Sequence, residues 1–318
     1  MLNTVIDYSI FEHFTKSQPA QIPIGSEEDN EYWNSFWKFL KLGSNVILTN
    51  YGKQQNIFLN TLTTGRKGTT IKIEDTFKKP HKCKFPKNQD IQTVFFLDEQ
   101  SDSEKVKYRK NNGFLFGFLN DYKEVWNKIS FLNNETVLHD RKSAIDVKKF
   151  TWDKFSELLL PFTDVILRDD FLFKDINEIE NRFGNIIKAL DKASIQKYNL
   201  LIILNKYKLD QGFDKNIDNL YQYLKNEKLI NPNKVNIGFV HTAKEHDRYT
   251  FFNYLEVGFG KIPDSSNKPT KITFNPYVLN DNYLDAKIVL DDLENIVGNA
   301  KKNGEFIGNI ENRLLGFE

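Results

Sequence analysis

The sequence predicts an α/β protein of two domains, with a C-terminal mixed sheet flanked by helices. Its 318 residues suffice for two domains of ordinary size, since a domain usually holds roughly 100 to 200 residues. Apolar runs of strand length alternate along the chain with stripes of apolar residues at helical spacing. Strands separated by helices favour a sheet that carries helices on its faces.

The C-terminal half shows this alternation most clearly. Residues 198–205, YNLLIILN, form an unbroken apolar run, which is typical of a strand covered on both faces. Apolar residues of the stretch 175–193 recur at helical spacing, and Asp175 with Glu178 predicts a capped helix start. The remaining predicted elements are strands at 163–173 and 234–241, a hairpin within 244–260, an edge strand at 270–279 ended by Pro276, and helices at 215–227 and 285–297.

The N-terminal half predicts a second α/β domain. The stretch 31–43 places its aromatic residues on one helical face and ends in Gly43, a residue suited to a helix C-cap. The other predicted elements are strands at 4–11, 45–50, 93–98 and 113–119 and a helix at 121–130. The polar segment 133–149 is predicted to be a linker between an N-terminal domain of unknown role, 1–132, and a C-terminal domain, 150–318.

Composition favours a protein of the reducing cytoplasm. Cys83 is the only cysteine, whereas a secreted protein of this size usually carries disulfides. The first residues lack the basic start and apolar core of a signal peptide, and no apolar run approaches the length of a transmembrane helix. The histidines are scattered, so neither a metal nor another cofactor is predicted. Because the formal net charge is +1, a nucleic acid would need a local basic patch.

The most specific stretch of the chain is HDRYTFFN, residues 246–253. Residues two apart on a strand face the same side, so His246 and Arg248 are expected side by side, with Asn253 at the bend folding back toward them. A guanidinium neutralises phosphate oxygens, and an imidazole attacks phosphorus or protonates a leaving oxygen. Lys244 adds a neighbouring cation. The pattern indicates a site for a phosphodiester.

This stretch resembles the H-x-K-x4-D motif of the phospholipase D superfamily, with Arg248 and Asn253 in place of the lysine and the aspartate. It is more similar still to the HDR form in the phospholipase D-like domain that follows MIT domains in some eukaryotic proteins, and to bacterial domains of the same type. The resemblance covers roughly residues 150–300, and the predicted element order agrees with a phospholipase D half-domain.

The resemblance implies that His246 is a nucleophile or general acid, that Arg248 and Lys244 bind phosphate, and that Asn253 orients the site. It implies a nucleic-acid-binding protein or a metal-independent nuclease in a prokaryotic setting, in defence against phage or mobile DNA. The MIT-associated domains instead bind phosphoinositide membranes without catalysis. A non-catalytic module for phosphate, phosphoinositide or a protein partner therefore stays open, as does a subunit of a larger complex.

Turnover in the superfamily requires two facing motifs. A second match, HDRKSAID, contains His139, Arg141 and Asp146 at the same spacing. It lacks the alternating apolar residues and closing glycines of the first match and lies in the predicted linker. If this match is coincidental, catalysis requires the C-terminal domains of two chains to meet in a homodimer.

Other interpretations of these residues stay open. His246 can be a hydrogen-bonded histidine at a strand entrance, with Arg248 paired to Glu245, Asp247 or Glu256. The loop TTGRKGTT, residues 63–70, is rich in phosphate-binding residue types but lacks the Walker A spacing, so it favours a hairpin turn.

A further interpretation concerns the N-terminal half. Asp7 follows an apolar run in VIDYSIF, residues 5–11, as in the metal-dependent nuclease strands of PIN domains. The acidic residues that could join it are Asp75, Asp98 and Glu99.

Overall fold

The computed structural model describes residues 2–10, 13, 36–50, 70–73, 92–133, 145, 147–243, 248–260, 271–277 and 280–317. The chain forms two compact units, one of Met1–Phe131 with Tyr277–Leu284 and one of Leu132–Pro276 with Asp285–Glu318. The predicted linker, 133–149, lies largely outside the described residues. Within the described ranges, no helix has both the length and the apolar character needed to cross a membrane.

A five-stranded parallel sheet forms the centre of the N-terminal unit. Its strands are β1 (Leu2–Asp7), β2 (Ser44–Thr49), β3 (Ile71–Ile73), β4 (Thr93–Leu97) and β5 (Leu115–Phe118). Their order across the sheet is β3-β2-β1-β4-β5, and each neighbouring pair is parallel. The order therefore changes direction between β1 and β4.

Two helices of the N-terminal unit follow the last two strands, α1 (Asp102–Asn112) after β4 and α2 (Tyr122–Asn133) after β5. A π-helical turn, Phe39–Gly43, leads into β2, so Gly43 ends the turn and the extended Ser44 is its C-cap. The core is aromatic: the ring centre of Phe36 lies 4.9 Å from that of Phe96 and 5.2 Å from that of Trp126. Large flat side chains thus fill this core.

A seven-stranded mixed sheet forms the centre of the C-terminal unit. Its strands are β6 (Asp164–Arg168), β7 (Tyr198–Leu204), β8 (Val235–His241), β9 (Tyr249–Phe251), β10 (Leu255–Phe259), β11 (Ile272–Pro276) and β12 (Phe306–Gly308). Their order is β11-β10-β9-β6-β7-β8-β12. Strands β6, β7 and β8 are parallel, and the other neighbouring pairs are antiparallel.

Helices accompany this mixed sheet: α3 (Trp152–Leu158), α4 (Asn185–Ala193), α5 (Ile217–Asn226) and α6 (Asn280–Asn303). The apolar side chains of α4 and α5 are buried, as their helical spacing predicts. The predicted edge strand is β11, which ends at Pro276. The predicted α/β class, with a mixed sheet flanked by helices, is confirmed.

The mixed sheet has two chemically different edges. The parallel strands β6, β7 and β8 all end at the same side of the sheet, which we name the carboxyl edge. Strand β9 begins at this side, because it is antiparallel to β6 and its first residue, Tyr249, pairs with Arg168. At the opposite edge, named the amino edge, β6, β7 and β8 begin and β9 ends. Open α/β sheets bind their ligands at the carboxyl ends of parallel strands, so the carboxyl edge is where a site is expected.

Strands β8 and β12 approach each other closely at a pair of glycines. Gly238 and Gly308 are register partners, and Gly308 has a φ of 77°. A Cβ atom on Gly238 would lie 2.0 Å from the carbonyl oxygen of Asn309. Only glycine fits at position 238, because the neighbouring atoms belong to backbone.

Candidate functional site

Arg248 lies at the carboxyl edge, immediately before β9, and is held from three sides. Its Nη1 donates to the carbonyl oxygen of Gly260 at 3.1 Å, and its Nε lies 3.4 Å from Oδ2 of Asp169. The guanidinium carbon is 5.3 Å from the ring centre of Phe171. The side chain of Arg248 remains 27% exposed and lines an open cavity of about 570 Å³, together with Lys271 and Thr273.

Asp169, the ionic partner of Arg248, is one of three consecutive buried charged residues, Arg168, Asp169 and Asp170, at the end of β6. Arg168 is 1% exposed, and its Nη1 lies 3.1 Å from Oδ1 of Asp170. Burial raises the pKa of Asp169, while Arg248 opposes that shift. Burial likewise lowers the pKa of Arg168, and Asp170 and Asp169 oppose it. The two arginines and two aspartates thus offset the cost of one another's burial.

Phe171 follows this charged sequence and is surrounded by cations. Its side chain is 40% exposed. The Nζ atoms of Lys174 and Lys208 lie 5.7 Å and 6.0 Å from its ring centre, in addition to the guanidinium of Arg248. Its backbone is fixed, because its N–H donates to Oδ1 of Asp169 and its carbonyl accepts from Nη1 of Arg182. The loop therefore presents an aromatic ring within a basic cluster.

Tyr207 occupies the equivalent place after β7 and is 58% exposed. The Nζ atoms of Lys206 and Lys215 lie 5.5 Å and 5.9 Å from its ring centre. The ring of His241, at the end of β8, meets it edge-on at 5.5 Å. Nδ1 of His241 accepts from the backbone N–H of Lys206, and burial, followed by the charge of Lys206, lowers the pKa of His241. Both the hydrogen bond that Nδ1 accepts and the burial of the ring favour the neutral form of His241.

Asp210 joins the loops that carry Phe171 and Tyr207. Its carboxylate accepts from the N–H of Ile176 at 3.1 Å and from the N–H of Gly212 at 2.8 Å. Its own N–H donates to the carbonyl oxygen of Phe173 at 2.9 Å. The bonds to Ile176 and Phe173 cross between the two loops, so they tie the loop after β6 to the loop after β7.

Asn253 lies at the other end of the hairpin, at the amino edge. Its side chain is 1% exposed, and Oδ1 accepts from the backbone N–H groups of Thr163 and Asp164 at 3.2 Å each. Its Nδ2 donates to Oγ1 of Thr163 at 3.1 Å. The structure therefore does not bring Asn253 to Arg248: it corrects the expectation that Asn253 folds back to orient the phosphate site, and shows this amide fixing the start of β6.

The other predicted site residues lie outside the described residues. These are Lys244 and His246 of the first motif and His139, Arg141 and Asp146 of the second. The loop 63–69 and Asp75 lie outside them as well, as do Glu245 and Asp247. Glu256, the remaining predicted partner of Arg248, accepts instead from Nδ2 of Asn275. Sequence reasoning missed Asp169, although the pair of aspartates directly after the apolar run of β6 could have indicated it.

The N-terminal unit brings two of its predicted acidic residues together. Asp7 ends β1 and Asp98 follows β4, and Oγ of Ser9 lies 2.9 Å and 3.0 Å from one carboxylate oxygen of each. Asn50, at a φ of 58°, donates its side-chain N–H to the other oxygen of Asp7. Each of the two oxygens that face Oγ of Ser9 also accepts a backbone N–H, that of Ser9 at 3.0 Å for Asp7 and that of Glu99 at 2.8 Å for Asp98. In the described ranges, no three residues of the His, Cys, Asp and Glu types form a metal-binding group.

No protein-family model, curated protein or solved structure matches the chain.

Proposed function

We propose that the carboxyl edge of the C-terminal mixed sheet binds the phosphodiester backbone of a nucleic acid. The observation that carries the proposal is a group of six cations at this edge, in a protein whose formal net charge is +1. The cations are Lys174, Lys206, Lys208, Lys215, Arg248 and Lys271. A local basic surface is what attracts a polyanion when the whole protein supplies no field.

Arg248 has the geometry to contact a phosphate directly. Within the described residues, Asp169 and Gly260 engage its Nε and Nη1, which leaves the N–H groups of Nη2 for a ligand. Its pairing with Asp169 also fixes the orientation of the guanidinium before a ligand arrives. The adjoining cavity of about 570 Å³ provides room for a phosphate and its sugar.

The proposal extends to metal-independent cleavage through His246. This extension rests on sequence, because His246 stands two residues before Arg248 in the phospholipase D-like motif. The imidazole would form a bond to phosphorus and break the bond to one ester oxygen, which a second histidine would protonate, while the cations stabilise the charge on the other phosphate oxygens. Water activated by that second histidine would then break the bond between phosphorus and His246. A second histidine would come from His139 or from a second copy of the chain in a homodimer.

Replacing Arg248 with glutamate should weaken nucleic-acid binding by about tenfold to a hundredfold, because it removes one phosphate contact and adds a repulsive charge. The measurement is fluorescence anisotropy of a labelled oligonucleotide over a series of salt concentrations. The slope of log affinity against log salt should fall by about one in Arg248→Ala. Arg248→Lys should retain most of the affinity.

The matched control for this prediction is Lys225→Glu. Lys225 lies in the last turn of α5, which returns the chain to the amino edge, and its Nζ is 4.5 Å from the ring centre of Tyr221. An equal loss of affinity in Lys225→Glu and Arg248→Glu would contradict a site at the carboxyl edge. Binding without turnover would identify a non-catalytic module.

A second candidate function is metal-dependent cleavage at the N-terminal unit. Asp7 and Asp98 meet at the ends of β1 and β4, where the strand order changes direction and open sheets place their ligands. Magnesium is commonly held by one or two carboxylates together with water and phosphate oxygens. The observation that favours a cation there is that the two carboxylates lie close enough together to contact the same hydroxyl, that of Ser9.

One nuclease assay separates the two candidates. Cleavage that persists in EDTA and is lost in His246→Ala is expected for the carboxyl edge. Cleavage that EDTA and Asp7→Asn abolish, and that persists in His246→Ala, would assign the chemistry to the N-terminal unit and contradict the proposed phosphohistidine route. Thermal unfolding of both variants is the control for folding.

A further inference from the structure

We infer that Phe171 and Tyr207 are stacking platforms for the bases of a single-stranded nucleic acid. This inference rests on the proposed function, because it names which form of nucleic acid the carboxyl edge takes. Within the described residues, Phe171 and Tyr207 have the most solvent-exposed Phe, Tyr or Trp side chains, at 40% and 58%. Both lie at the carboxyl edge, one after β6 and one after β7.

Both rings are exposed to water at the same edge, and a ligand that covers them would recover the free energy lost by leaving them unburied. A Phe or Tyr left in water forgoes the stabilisation that its burial elsewhere would give. The remaining exposed large apolar side chains of the described residues are aliphatic and lie elsewhere, as with Ile195 before β7 and Ile288 in α6. The carboxyl edge thus combines flat rings with cations, the pairing that binds bases and phosphates together.

The spacing of cations and rings fits a strand that passes along the edge. Three cationic groups, from Arg248, Lys174 and Lys208, lie 5.3 to 6.0 Å from the ring centre of Phe171. Lys206 and Lys215 surround Tyr207 in the same manner. These cations lie over the rings, so a base that stacks takes the place of a flexible lysine head group, which is then free to neutralise a flanking phosphate.

The two platforms are held in a fixed relation. Strands β6 and β7 are neighbours, and adjacent strands lie about 4.8 Å apart, so the loops that follow them begin close together. Tyr207 and Lys208 are consecutive, and Lys208 reaches the ring of Phe171 while Lys206 reaches the ring of Tyr207. The bonds of Asp210 across the loops hold this arrangement, so little ordering is needed on binding.

Stacking on a protein ring selects a single strand over a duplex. In a duplex, the faces of interior bases are covered by the adjacent base pairs, so an aromatic side chain reaches them only after unstacking. A single strand offers its base faces directly, and every base has such a face. The carboxyl edge should therefore prefer a single strand and show little preference among base sequences.

The test compares three probes by fluorescence anisotropy with the full chain. The probes are a labelled oligothymidylate, an abasic oligonucleotide of the same length and backbone, and a blunt duplex. The oligothymidylate should bind more tightly than either. Phe171→Ala and Tyr207→Ala should each weaken its binding by roughly 5- to 150-fold, the loss expected for one stacked base. The same variants should leave affinity for the abasic strand nearly unchanged.

Conservative variants and a control complete the design. Phe171→Trp and Tyr207→Phe keep a ring and should retain affinity for oligothymidylate. Ile195→Ala removes an apolar side chain that is 37% exposed before β7, at the amino edge, and should have no effect. Circular dichroism confirms that each variant folds.

The outcomes distinguish this inference from the proposed function. Equal affinity for oligothymidylate and the abasic strand would overturn base stacking while leaving phosphate binding intact. A preference for the duplex would overturn it as well. Absence of binding to all three probes in the folded protein would overturn the proposed function itself.

Discussion

Replacing Asn253 with alanine is expected to lower the free energy of unfolding by about 3 to 5 kcal/mol. The change removes three buried hydrogen bonds at once, those from the N–H groups of Thr163 and Asp164 and that to Oγ1 of Thr163. Both N–H groups would stay buried without the acceptor that they have now, which costs more than the bonds themselves contribute. Urea denaturation of the full chain, followed by circular dichroism, measures the effect.

Asn253→Asp tests the structural role against the role that the family resemblance implies. An aspartate keeps an acceptor for the two N–H groups, but it loses the donor to Oγ1 of Thr163, whose hydrogen is already given to Asp164 at 2.7 Å. Oxygen would then face oxygen in a buried place, so this variant should also be destabilised. A variant of wild-type stability with increased cleavage would contradict the structural role and favour a catalytic one.

The substitution Gly238→Ala is expected to destabilise the C-terminal unit by about 3 kcal/mol, the upper part of the range for an overpacked core. The added methyl group would lie 2.0 Å from the carbonyl oxygen and 2.5 Å from the carbonyl carbon of Asn309. Backbone atoms cannot rotate away as a side chain can. Strand β12 would have to separate from β8, which would expose the edge of the sheet.

Gly298→Ala is the matched control for this substitution. Gly298 lies within α6, and a Cβ atom there would meet only the ring of Phe317, at 3.9 Å. An alanine in a helix is favoured over glycine by roughly 0.8 to 1.0 kcal/mol, so this variant should be as stable as the wild type or more so. If the two alanine variants had equal stability, the close approach of β8 and β12 would be contradicted.

The sequence alone predicts the strands and helices whose apolar pattern is regular. The run in β7 and the stripe of α4 were found because burial on both faces, or on one helical face, dictates their residue types. Helix α1 was missed because its buried positions include Lys105 and Tyr108, and the rest of it is polar. The sequence nevertheless contains signals for both ends of this helix: Ser101 is its N-cap, and Gly113 adopts the left-handed backbone conformation at its C-cap.

The short strands were missed for another physical reason. Strands β3 and β12 have three residues each and are partly exposed, so neither carries a period-two pattern long enough to recognise. Gly308 in β12 argues locally against a strand, and only its fit against Gly238 explains it.

The candidate site was predictable in part. The sequence singled out Arg248 and its neighbourhood because cations spaced along a strand are visible locally. It could not show that Asp169 and Phe171 lie beside Arg248, since they reach it through strand pairing between β6 and β9, a contact of long sequence separation. The hydrogen bonds of Asn253 to the start of β6 depend on the same strand pairing, and the length of β9 separates Asn253 from Arg248.

The two ends of strand β9 have a consequence for how the protein can change during evolution. Asn253 secures the sheet at one end, while the rings and cations stand on loops at the other. Exchanging an exposed side chain such as Tyr207 or Lys174 is therefore expected to change stability little. If the carboxyl edge binds a ligand, point mutations there would alter its preference without first requiring a compensating gain in stability.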